Sequence, residues 1–158
     1  MANDGGMLAK LEQWIADTLG ALQVDGTDVF KTADVWKHQI AVARSGMESF
    51  DAYEPFAFAA YSRVDADRQG GYDLRQIFEF AVAIGVGSKE NGVCRMGDAN
   101  SLGTSKIREL VIAALDRVHP GDGFSCDEFK YVGEVEFIDL PKKHAIEMHF
   151  QIPWIDVS

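Results

Sequence analysis

Only two cysteines, Cys94 and Cys126, occur in 158 residues, and neither belongs to a CxxC pair or to a metal-ligand spacing. That scarcity excludes a disulfide framework and a cysteine-based zinc module. Two free thiols are expected, Cys94 in a loop and Cys126 just before a strand; a disulfide between them is the alternative. Positive charge is also short, since 15 Lys and Arg stand against 25 Asp and Glu, giving a net charge of −10 and a pI near 4.7. An acidic surface repels phosphates and anionic lipid, so neither sequence-specific nucleic-acid binding nor membrane attachment is expected. The longest apolar runs, such as Phe80 to Gly87, are too short to span a bilayer. The first residues, Met1-Ala2-Asn3-Asp4-Gly5-Gly6, lack the basic and apolar blocks of a secretion signal, and synthesis inside the cell is the expectation.

What is present suits a single globular domain over residues 1–158, with 47% hydrophobic and 25% charged residues. A chain of this size buries roughly 70% of the surface its unfolded form exposes, so it needs no covalent staples. A first helix is expected from about Met7 to Leu22, with Leu8, Leu11, Ile15, Leu19 and Leu22 on one face. Val29 to Val35 reads as a short strand. Trp36, Ile40, Ala43, Met47 and Phe50 then recur at three- and four-residue steps, which predicts a second, irregular helix ending before Pro55.

Phe56 to Tyr61 has the small-residue, apolar character of a central strand. Its partner runs from Ile77 to Val86, where Phe78, Phe80, Val82, Ile84 and Val86 share one face. The polar stretch Asp65 to Arg75, with Gly70-Gly71, closes these two into a hairpin. A second helix-plus-hairpin half follows. Thr104 is placed to cap a helix through Val118, with Ile107, Leu110, Val111, Ala114, Leu115 and Val118 on one face, and His119-Pro120-Gly121 ends it. Phe129, Tyr131, Val135 and Phe137 alternate with Lys130, Glu134 and Glu136; beyond Leu140-Pro141-Lys142-Lys143, Ile146, Met148, Phe150 and Ile152 are opposed by Glu147, His149 and Gln151. The expected fold is α+β: an antiparallel sheet of about four strands, in two β-hairpins, packed against two main helices on one face.

Four patterns imitate sites. Asp65 to Gln76 places acidic groups at loop positions one, three and nine and Gly at six, as a calcium-binding EF-hand does, but Gln76 stands where the bidentate Glu belongs. Its flanks alternate like strands, so a solvated hairpin tip is expected and calcium binding is the alternative. His144 and His149 are five apart and point to opposite faces of a strand, while His38 and His119 lie elsewhere, which argues against a histidine metal site. Glu134 and Glu136 share a strand face, with Glu147 able to oppose them; like charges so arranged mark an exposed surface. Gly97 to Gly103 precedes a helix but lacks the Lys-Ser/Thr of a phosphate loop, and reads as a flexible loop. No catalytic, cofactor-binding or metal residue is assigned, no cofactor is expected, and no enzyme is inferred.

Pro55-Phe56-Ala57-Phe58, Phe78-Glu79-Phe80-Ala81-Val82, Arg95-Met96-Gly97, Gly103 with the helix through Leu115, and Ala145 to Phe150 occur in an order that resembles the Mu-like phage and prophage tail protein family with a tail-terminator-like fold. The resemblance covers about Val29 to Trp154, and its motifs are loose. It implies a structural tail protein, a terminator or tail-completion protein that self-assembles into a ring, with six subunits as the expected number, at the head-proximal end of the tail tube. Its partners would be further copies of itself, the tube and the head connector, and it would assemble in the bacterial cytoplasm and end in the virion tail. No catalytic residue carries over. The hairpin from Ser62 to Gln76 and the loop from Lys89 to Ser101 are the segments expected to meet a neighbour, with Arg63, Arg68, Tyr72, Arg75 and Arg95 as interface residues. A small non-enzymatic binding module, taking a ligand or calcium at the Asp65–Gln76 tip, is the alternative.

Overall fold

The computed structural model describes residues 6–37, 40–42, 48–50, 54–69, 73–87, 93–98, 101–121 and 123–156. In chain order the elements are α1 (Gly6–Gly20), β1 (Gln23–Val24), β2 (Thr27–Asp28), β3 (Thr32–Val35), β4 (Ile40–Val42), β5 (Glu48–Phe50), β6 (Phe56–Gln69), β7 (Asp73–Gly87), α2 (Val93–Met96), α3 (Thr104–Leu115), β8 (Lys130–Leu140) and β9 (Lys143–Asp156). The class is α+β, as the patterning implies. The sheet is larger than expected, with five strands in the order β3-β6-β7-β9-β8. It is also mixed, because β3 runs parallel to β6 while every other pair is antiparallel.

The difference arises in residues 29–50. Of the strand expected over Val29 to Val35, Thr32–Val35 forms, and it joins the main sheet as a parallel edge, pairing Thr32 with Phe56 and Val35 with Ala59. The irregular helix expected from Trp36 to Phe50 does not form among the described residues. Ile40–Val42 and Glu48–Phe50 instead pair antiparallel as a separate two-stranded ribbon, with Ile40 opposite Phe50. Apolar residues at three- and four-residue steps also fit a short hairpin, and β-branched Ile40 and Val42 favour it. Residues 38, 39 and 43–47, which the same expectation included, lie outside the described residues.

The core forms between the sheet and helices α1 and α3. Leu11, Ile15 and Leu19 of α1 and Ile107, Val111 and Leu115 of α3 are buried, as their spacing requires. They meet Phe78, Phe80, Val82, Ile84 and Val86 of β7, Ile146, Met148, Phe150 and Ile152 of β9, and Ala57 and Ala59 of β6. The register explains this shared face: Ala57, Ile84 and Ile146 lie in one cross-strand row, and Ala59, Val82 and Met148 in the next. Phe129, fully buried, locks the layers together by stacking on Trp14 of α1 at 5.4 Å and meeting Phe80 of β7 edge-on at 6.0 Å.

The far face holds a smaller apolar patch. Phe56, Phe58, Ile138 and Ala145 are buried there, Phe56 stacks on Phe58, and Trp36 meets Phe58 edge-on. Phe56 lies directly across from Gly85, and a Cβ on Gly85 would come within 2.1 Å of the Phe56 ring. Glycine is therefore needed in the middle of β7 to let an aromatic ring lie flat on the sheet. Gly85→Ala is expected to destabilise by about 1–3 kcal/mol, the usual cost of overpacking. In urea denaturation the ring-shrinking Phe56→Leu should cost less in the Gly85→Ala background than alone; additive effects would show that the two sites do not touch.

Candidate functional site

Strict alternation along β8 would place Tyr131 and Glu134 on opposite faces, and likewise Glu136 and Asp139. Two bulges prevent that. The register shifts between Tyr131 and Gly133 and again between Glu136 and Ile138, so that Tyr131, Glu134, Glu136 and Asp139 lie opposite Phe150, Met148, Ile146 and His144. All four then share the helix side of the sheet. Gly133 permits the first bulge with φ +146, a region that side chains resist. The inward pattern expected for Val135 is reversed accordingly: Val135 is 57% exposed, whereas Glu134 turns inward. Glu147 does not oppose Glu134 and Glu136; it lies across from Val135 and Ala83 on the far face.

Two polar links join α3 to this edge. Arg108 Nε donates to Glu134 Oε1 at 2.5 Å, and the Tyr131 hydroxyl donates to the same oxygen. Glu134, followed by Tyr131, holds the Arg108 guanidinium above its ordinary pKa, while burial and then Glu134 raise that of the Tyr131 phenol. Nearer the N-terminus of α3, Thr104 Oγ1 lies 2.5 Å from His144 Nδ1, and His144 Nε2 lies 2.6 Å from Glu136 Oε2. With a neutral ring, Nε2–H donates to the carboxylate and Nδ1 accepts the hydroxyl proton. The bond from His144 holds Glu136 below the ordinary carboxylate range, with Arg95 adding to the effect. An open cavity of about 290 Å³ borders these residues, lined by Arg95, Thr104, Ser105, Arg108, Glu134, Glu136, His144 and Ile146.

Thr104, expected to cap α3, does not. Gly103 is the cap residue and makes no side-chain cap bond, and the Thr104 hydroxyl turns to His144 instead. Hydroxyl, imidazole and carboxylate in series imitate a nucleophile with its base and orienting acid. Thr104 is only 1% exposed, and its hydroxyl is taken up by the His144 ring. The series links the first turn of α3 to the β8–β9 edge.

The expected interface residues divide between the two ends of the sheet. Arg63, in β6, is exposed and pairs with Asp65 at 2.7 Å. Arg68 lies opposite Leu74 and Arg75 opposite Asp67 in the β6–β7 ladder. The side chains of Arg68 and Arg75, and Tyr72 altogether, lie outside the described residues. Arg95 is exposed on α2 and lines the same cavity as Glu136 and His144, at the Val86 end of β7. A rise of 3.4 Å per residue puts about 40 Å between the Val86 and Leu74 ends of that strand, so Arg95 is far from the hairpin arginines.

Asp65, Asp67 and Gln69 belong to β6, and Asp73 to Gln76 belong to β7, in continuous register. This is a β-ribbon, in agreement with the strand-like alternation of the flanks, and not a helix–loop–helix. Both cysteines are free; Cys94 belongs to α2 instead of a loop and is buried, and Cys126 forms an isolated bridge with Trp154. His144 and His149 occupy opposite faces as their spacing requires, His149 lying 3.6 Å from both Glu79 and Glu147. Of the Gly97–Gly103 loop, residues 99 and 100 lie outside the described set, and Ser101 N and Oγ bond Asp98 Oδ1. Among the described residues no helix is long and apolar enough to cross a membrane. No protein-family model and no curated protein matches this sequence.

Two measurements check this geometry. Thr104→Val leaves the buried Nδ1 without its partner and should cost about 1–3 kcal/mol in urea denaturation, with Thr104→Ser recovering most of the loss. Burial raises both thiols, Cys126 to about 11 with Asp127 adding to the effect. A higher pKa means less thiolate, so Cys126 should alkylate at pH 8 about a hundredfold more slowly than a thiol of ordinary pKa. Rapid labelling of the folded protein would contradict its placement.

Proposed function

We propose that the chain is a structural protein of a phage or prophage tail, a terminator or tail-completion protein that assembles into a ring at the head-proximal end of the tube and performs no catalysis. The observation that carries this reading is the arm formed by β6, β7 and the end of β9. Consecutive residues Tyr61 to Ala66 are all exposed, so both faces of β6 meet solvent there. The arm is three-stranded over much of its length, because β9 continues alongside β7 until Asp156 lies opposite Leu74. An extension of this kind suits contact with another subunit better than it suits a monomer's own stability.

The rest of the surface supports a head-to-tail contact, which closes into a ring when the rotation between subunits permits. Tyr61 and Val64 are exposed apolar groups on the arm. The far face offers an open groove of about 360 Å³ lined by Trp36, Phe58, Ala60, Ala81, Ala83, Phe137 and Glu147. Arginine on the arm meeting a neighbour's acidic sheet face would fix the orientation. In this reading assembly takes place in the bacterial cytoplasm, with the tail tube and head connector as the further partners. A non-enzymatic binding module is the second reading; the groove, and not the Asp65–Gln76 tip first expected to hold a ligand, is the observation that favours it, with an apolar ligand.

Sedimentation of the wild type at rising concentration and low salt should show a discrete oligomer, visible as rings by negative-stain electron microscopy. Replacing residues 66–76 by a two-residue turn, which keeps Asp65 opposite Ile77, should leave a folded monomer, and Arg63→Glu should shift the equilibrium towards monomer. A wild type that stays monomeric throughout would overturn the ring. Genes for tube, sheath or connector proteins beside its own would support the tail assignment.

A further inference from the structure

We propose that Glu136, Asp139 and the Nε2 of His144 form a binding site for a divalent transition-metal ion of the Zn²⁺ class. One ligand atom from each residue lies within 4.8 Å of the other two. Ligands about 2.0–2.2 Å from a tetrahedral ion are roughly 3.3 Å from one another, so the site closes with modest side-chain movement. His144 is 4% exposed and fixed, whereas Glu136 and Asp139 are exposed on an edge strand and can adjust around it. Imidazole with two carboxylates suits Zn²⁺, Co²⁺ or Ni²⁺ better than Ca²⁺ or Mg²⁺, which prefer oxygen alone.

Two features separate this trio from a chance acidic cluster. The second bulge of β8 brings Glu136 and Asp139, three residues apart, onto the face that carries His144. The other ring nitrogen, Nδ1, is held by the buried hydroxyl of Thr104 at 2.5 Å. That is the supporting bond a metal-ligating histidine requires, since Nδ1–H donated to Thr104 Oγ1 leaves the Nε2 lone pair directed at the ion. Binding therefore replaces the Nε2–H···Glu136 bond by two bonds to the metal and moves the ring proton to Nδ1. Three protein ligands leave a fourth position for water on the cavity side.

The experiment is titration of the full chain with Zn²⁺ alone by calorimetry, with the histidine ring ¹⁵N signals followed by NMR. Glu136→Gln and Asp139→Asn serve as variants because both positions are exposed and the folded state should tolerate them, as circular dichroism would verify. The expected result is one saturable site, with large shifts at His144 Nε2 and none at His149. Each variant should lose at least about tenfold in affinity, the scale that loss of even a supporting group costs. A higher melting temperature with Zn²⁺ in the wild type should be absent from the double variant. No saturable binding, unchanged affinity in both variants, or perturbation centred on His119 or His149 would each overturn the proposal.

Discussion

The rest of the fold depends on the two-sided pairing of β7. Its even positions, Phe78 to Val86, place a continuous apolar row beneath α1 and α3, and its neighbours β6 and β9 add residues of the same face only while register is kept. A slip by one residue would turn Phe80 and Val82 to the far side and bring Glu79 and Ala81 under the helices. Phe129 resists such a slip from outside the sheet, because its ring is held by Trp14 on one helix and Phe80 on the strand. Burial of these side chains against the helices, with the hydrogen-bonded ladders on either side, fixes where every other element can lie.

Much of this was legible because long periodic segments report their own structure. Most of the α1 and α3 stripes, the alternation of β7 and the order of the two hairpins recur in the structure, but α1 ends at Gly20 and α3 at Leu115, which leaves the expected Leu22 and Val118 beyond the helices. Short segments do not report their partners. Thr32 to Val35 reads as strand in the sequence, but its parallel place beside β6 is set by the ladder that β6 offers, a tertiary effect. The same holds for Ile40 to Phe50, where apolar spacing fits either a helix turn or a ribbon and chain pairing decides.

The polar edge was hidden for a different reason. A single extra residue reverses the facing of everything after it, so reading β8 as a uniform strand puts Glu134 outside and Val135 inside. Gly133 within a strand and the adjacent apolar pair Phe137-Ile138 are the local signs of the two bulges. Once those are placed, Tyr131, Glu134, Glu136 and Asp139 fall on one side together with His144, and α3 supplies Arg108 and Thr104 to meet them. The expected subunit contact also placed Arg95 with the hairpin arginines, whereas the strand that separates them is a long spacer.

That spacer has a mechanical side. β7 belongs at one end to the core and at the other to the arm, with β6 and β9 bonded along both its edges. Tension applied at the tip along the strand axis would load many interstrand bonds at once in shear, instead of opening them one after another as a sideways pull does. β7 runs unbroken from Asp73 to Gly87, so a load taken up along its axis at one end would be borne at the other by Phe80 and its neighbours in the hydrophobic layer.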